Sequence, residues 1–69
     1  MYIKKLKDLR EDHDYKQKYI ADILGISQNS YSDIERGITN ISVEALIKLA
    51  DLYNVSIDYI LDREKRKNN

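Results

Sequence analysis

Sixty-nine residues leave room for one domain, and a chain of this size buries only about 60% of its unfolded surface, so its core must be efficient. The absence of Cys excludes a disulfide framework and thiolate metal sites and fits a reducing compartment. The opening YIKKLKDLRED is charged throughout and no apolar run approaches the roughly 18 to 20 residues of a membrane span, so the sequence reads as soluble and cytoplasmic, with no membrane partner.

Twelve Lys and Arg balance twelve Asp and Glu, but unevenly along the chain. Met1 to Lys18 carries six basic and four acidic residues, Tyr19 to Asp62 two and seven, and Arg63 to Asn69 four and one. The ends are basic and the middle acidic, so any anion-binding surface depends on where the middle's carboxylates point.

The first helix is predicted from Tyr2 to His13, with Ile3, Leu6 and Leu9 as its buried stripe and Lys4, Lys5, Lys7 and Asp8 facing water. His13, the one histidine, sits in the polar stretch EDHDY, which reads as a solvated connection, and no chemistry is assigned to it. From Gln17, the apolar residues Ile20, Ala21, Ile23 and Leu24 predict a second helix that Gly25 ends in a left-handed turn, with Ile26 packing back. Ser27 offers a cap to a third helix from Gln28 to Arg36. On that helix Tyr31 and Ile34 share one face, and Gln28, Asn29, Ser32, Asp33 and Arg36 share the other. Ala21 must stay small where the two helices cross.

Gly37 is expected to close the third helix, and ITNIS to form a loop before Ser42 caps a fourth, with Glu44 in its first turn. Leu46, Leu49, Ala50 and Tyr53 make the inward stripe of that helix, and Asn54 ends it with Val55 packing back. Ser56 caps a short fifth helix, SIDYILD, whose Ile57, Tyr59, Ile60 and Leu61 exceed what one buried face requires. Some of these should stay exposed, which marks Ile57, Tyr59 and Ile60 as dimer-contact candidates, against the alternative of a tyrosine ring lying over the core edge. The tail REKRKNN lacks apolar residues and is expected to be disordered. The domain boundaries expected are therefore 1–62 for the folded unit and 63–69 for the tail.

Ala21, Gly25, Ser27, Ile34 and the run YSDIERG ending at Gly37 resemble the helix-turn-helix of the Cro/CI-type repressors, also called the XRE family. VEALIKLADLYNVSIDYIL looks like the family's last two helices, so the resemblance runs from about Met1 to Asp62. It implies an all-α, compact five-helix, lambda-repressor-like domain with the helix-turn-helix formed by helices two and three. It implies direct base readout by the third helix, with Gln28 or Asn29 bonding bidentately to adenine, Ser32 reaching a base or phosphate, and Asp33 accepting from cytosine or excluding wrong sequences.

The same resemblance makes Gln17 a phosphate-contact position and pairs Arg10 with Glu35 as a structural ion pair that holds the reading helix, while Arg36 at the helix end and Thr39 and Asn40 in the loop that follows are phosphate-contact candidates by their place in the chain. Lys16 departs from the family, which places Thr or Ser before Gln17. Either it adds charge to a phosphate site at the helix N-terminus or it is a poor cap, unless Asp14 caps instead. Tyr19 flanks the same surface or packs on the first helix. Many relatives have proline where Ile41 stands. The implied partners are double-stranded DNA and a second copy of the chain, with an antirepressor protein unspecified and no metal or cofactor involved.

Two function classes follow. One is a repressor that occupies a pseudo-palindromic operator as a homodimer, in a bacterial or phage context. The other is a protein-interaction module on the same fold, of antirepressor or antitoxin type, which the zero net charge and Asp33 favour. An enzyme is rejected, because the sequence has no glycine-rich phosphate loop, no Cys and one isolated His.

Overall fold

A computed structural model describes residues 1–63 and shows five helices in chain order: α1 (Lys4–Asp12), α2 (Gln17–Leu24), α3 (Gln28–Glu35), α4 (Val43–Tyr53) and α5 (Ile57–Ile60). The tail expected to be disordered lies outside the described residues from Glu64 onward. The first helix begins later than Tyr2 and ends before His13, because Ile3 is extended (φ −119°, ψ 101°) and His13 has already left helical geometry. The fifth is a single turn, shorter than SIDYILD.

Three helices begin on a serine whose hydroxyl accepts a backbone N–H three residues on: Ser27 from Ser30 at 3.1 Å, Ser42 from Ala45 at 3.1 Å and Ser56 from Tyr59 at 2.9 Å. These bonds satisfy amides that the helix itself leaves free. Lys16 supplies no such bond to α2.

Each helix ends in one residue at positive φ, namely Asp14, Gly25, Gly37, Asn54 and Asp62. In each case that residue's N–H reaches back three positions and the next N–H reaches back five, as in Gly37 to Ile34 and Ile38 to Asp33 for α3. These paired bonds make a Schellman end, which turns the chain sharply and lets the following apolar residue fold back on the helix. Ile26, Val55 and Tyr15 do so against the core. Asp14 as the alternative cap of α2 is thereby corrected: Asp14 closes α1 at φ 58°.

The core gathers Ile3, Leu6 and Leu9 of the first helical segment, Ile20 and Ala21 of α2, Tyr31 and Ile34 of α3, Leu46, Leu49, Ala50 and Tyr53 of α4, and Ile60. Ala21 is buried where α2 packs most closely on α3, and any added volume there would wedge the pair apart. Beside the core, His13, Tyr15, Tyr19 and Tyr53 form a chain of rings with centroids 4.8 to 6.2 Å apart. His13 is fixed by its Nδ1, 2.8 Å from the Leu9 carbonyl, and Tyr19 lies against Tyr15.

Candidate nucleic-acid interface

The third helix divides sharply between its two faces. Tyr31, Ile34 and Glu35 are buried, while Gln28, Asn29 and Arg36 are exposed and Ser32 and Asp33 are half-buried on the outer side. All five sequence-predicted residues of this helix therefore share one outward surface. Among the described residues, the Gln28 and Asn29 side-chain amides have no hydrogen-bond partner within the chain. Each amide offers a donor and an acceptor side by side, the pattern that matches the N6 and N7 edge of adenine.

What holds this surface is on the inner side. Glu35 is 4% exposed and accepts from Arg10 Nε at 2.7 Å and Arg10 Nη2 at 3.2 Å, a bidentate pair that ties α1 to α3. Arg10 also donates through Nη1 to the Tyr15 carbonyl at 3.0 Å, and Gln17 donates through Nε2 to Glu35 Oε1 at 3.1 Å. One carboxylate thus fixes α1, the α1–α2 connection and the start of α2 relative to α3. Burial alone would raise the proton affinity of Glu35, but the hydrogen bonds from Arg10 and Gln17 and the guanidinium charge outweigh it and hold the carboxyl below its ordinary range.

The Tyr31 hydroxyl is buried beside this cluster without a hydrogen bond of good geometry. Burial, reinforced by the neighbouring Glu35 charge, pushes its proton affinity up. Burial likewise pushes Tyr53 up to about 12. Both phenols are neutral at physiological pH.

The predicted phosphate-facing residues divide into two groups. Lys16 and Thr39 are exposed, and Lys16 has no ion-pair partner among the described residues. Gln17, Arg36 and Asn40 are already engaged. Gln17 keeps one N–H beyond its bond to Glu35, and the Asn40 Oδ1 accepts from the Met1 α-ammonium at 2.9 Å, a bond that does not use its NH2. Arg36 is paired through Nη2 with Asp33 Oδ1 at 3.0 Å, one turn back on the same surface. The sequence reading placed both residues on this face but missed their pairing, although the three-residue spacing of opposite charges was there to find.

One candidate set is corrected. Ile60 is 0% exposed and belongs to the core, so it is not available to a partner. A one-turn helix has little room to choose which side chain points inward, and Ser56, by capping it, fixes the rotation that buries Ile60. Ile57 is half-buried and Tyr59 is exposed, with the Lys5 ammonium 4.6 Å from the centre of its ring.

No described helix is long and apolar enough to cross a membrane. A family model described as Helix-turn-helix matches residues 6–60. The chain is 40% identical over 67 residues to the HTH-type transcriptional regulator AnsR of Bacillus subtilis, covering 97% of this chain and 58% of that protein. It is 40% identical over 62 residues to the regulator ImmR of the same organism, covering 90% and 49%. The crystal structure of a transcriptional regulator from Listeria innocua superposes with a TM-score of 0.77 at 31% identity, covering 80% of this chain and 51% of that one. The chain thus spans about half the length of the curated relatives it matches. With five helices in this order, the two-helix turn at Gly25 and these similarities, the chain belongs to the helix-turn-helix family of DNA-binding transcriptional regulators, of Cro/CI (XRE) type.

Proposed function

We propose that this protein is a sequence-specific double-stranded DNA-binding repressor that acts as a homodimer on a pseudo-palindromic operator, in a bacterial cytoplasm, and blocks transcription by occupancy. The observation that carries the reading is the pair of unpartnered amides, Gln28 and Asn29, on the outer face of α3, a helix locked from behind by the Arg10–Glu35–Gln17 cluster. Two side-chain amides with no internal partner have their donors and acceptors free for base edges, and the buried cluster supplies the rigidity that base readout needs. Gln28 and Asn29 contact bases, Ser32 and Asp33 refine the choice, and Lys16, Gln17, Arg36, Thr39 and Asn40 set the register on phosphates.

The test is selection of bound duplexes from a random pool at near-physiological salt. An inverted repeat with half-sites about one helical turn, or 34 Å, apart is the expected product. Gln28→Ala with Asn29→Ala should relax preference at the bases they read, by about 1 to 3 kcal/mol per lost bidentate contact, while the fold persists. If no motif emerges from the folded protein, the reading gives way to a protein-interaction module. If the double variant selects the same motif as the parent, α3 is not the reader.

A further inference from the structure

The outer face of α4 carries two large apolar side chains that nothing in the described structure covers. Val43 is 69% exposed and Ile47 47%, and they lie one turn apart on the same side of the helix. Beside them runs a second pair at the same spacing, Glu44 and Lys48. Elsewhere on the helical surface, opposite charges four residues apart have closed on each other: Lys4 with Asp8, Lys7 with Glu11 and Lys18 with Asp22. Glu44 and Lys48 have the more favourable order for such a bond, acid toward the N-terminus, yet neither has an ion-pair partner among the described residues.

An apolar pair flanked by an open acid and an open base, all at one spacing, is complementary to itself. When two copies of α4 meet antiparallel about a two-fold axis, Val43 of each falls against Ile47 of the other, and Glu44 of each falls against Lys48 of the other. Every contact is made twice, as a two-fold interface requires. A partner of another kind would have to supply the same four groups in reverse order, and the chain already does.

We propose that the outer face of α4, built on Val43, Glu44, Ile47 and Lys48, is the surface through which two copies of this protein associate. The proposal rests on the reading of the protein as a two-fold DNA-binding dimer and names the surface that makes it one. Glu44 and Lys48 also line the groove between α3 and α4 together with Ser30 and Asp33, so the association surface adjoins the reading helix. The competing surface on α5 offers less, because Ile60 is in the core, Ile57 is half-buried and the Tyr59 ring is already met by Lys5.

The test is sedimentation of the full chain, free of DNA, over a wide concentration range. The variants are Glu44→Lys, Lys48→Glu, the two combined, and Ile47→Asp, each checked for folding by thermal unfolding. The parent should associate reversibly. Either charge reversal alone faces like charges across the axis and should weaken association by about tenfold or more, and Ile47→Asp should abolish it. The double reversal restores opposite charges and should recover association to within about threefold of the parent.

A monomeric parent at every concentration overturns the proposal. So does a double reversal that is as weak as, or weaker than, the single ones. Binding of each variant to a duplex carrying one half-site, which needs no dimer, is measured in parallel. Retained half-site binding with association indifferent to these substitutions discards this surface alone, whereas loss of half-site binding by the parent discards the DNA-binding reading.

Discussion

Gly25 and Gly37 both stand at positive φ, +74° and +81°, but their surroundings differ. A Cβ on Gly25 meets nothing within 4 Å, so substitution there costs only the strain of the left-handed conformation, about 1 to 2 kcal/mol. A Cβ on Gly37 would stand 3.0 Å from Tyr2 Cβ and 3.1 Å from its Cα, so the N-terminal segment would have to move as well. Gly37→Ala should therefore lower the thermal midpoint clearly more than Gly25→Ala, and equal losses would mean that the Tyr2 contact is slack. Gly25→Asn should recover part of its loss, since Asn54 shows that this chain accepts asparagine at the same kind of helix end, at φ 56°. At this scale the sequence was readable for glycine and ambiguous for short polar residues. Asp and Asn serve both as N-caps and as left-handed helix ends, and only the tertiary path shows that Asp14 does the second.

The buried Arg10–Glu35 pair ties α1 to α3, and its energetics are those of a desolvated ion pair. Arg10 is 12% exposed and Glu35 4%, so removing one partner strands a charge in a site that water hardly reaches. Glu35→Ala should cost about 3 kcal/mol or more, whereas combining Arg10→Met with Glu35→Leu should cost markedly less than the sum of the single changes. A purely additive cycle would mean that the pair contributes nothing as a pair.

Acid should have the same target. The folded-state proton affinity of Glu35 lies below its unfolded value near 4.5, so the stability it contributes is present above that pH and is lost as pH falls through the lower, folded value. Denaturation followed from pH 6 downward should therefore be steeper for the parent than for Glu35→Gln. The starts of α2, α3 and α4 were legible from apolar spacing and serines, because those signals are local. The part played by Gln17 was not, because its bond to Glu35 spans eighteen residues and depends on how α2 meets α3.

For the whole molecule, most of the basic side chains of the described residues are consumed in ion pairs. Six of the acids are met by bases: Asp8, Glu11, Asp22, Asp33, Glu35 and Asp62. Among the described residues, only Lys16, Lys48 and Arg63 are Lys or Arg side chains without a carboxylate in ion-pair range, and of these Lys16 alone belongs to the proposed phosphate-facing set. Composition showed the even balance but could not reveal this pairing, which is set by helix faces and by contacts between helices. Arg36 is the second candidate cation on that face, and Asp33 holds it at 3.0 Å. In the closed pair Asp33 offsets the Arg36 charge, so on the proposed reading Arg36 neutralises a phosphate only in part. Asp33→Asn removes the restraint. Each additional phosphate neutralised steepens the plot of log affinity against log salt by about 0.9, so a dimer that gains two should become steeper by about 2, with stronger binding to unrelated duplexes at low salt. The cations of residues 64–69 add the same offset to both proteins, so the difference between the two slopes isolates Arg36. Adding Arg36→Ala to Asp33→Asn should return the slope to that of the parent. If Asp33→Asn leaves the slope unchanged, the Asp33–Arg36 pair does not restrain phosphate binding, and specificity must come from base contacts alone.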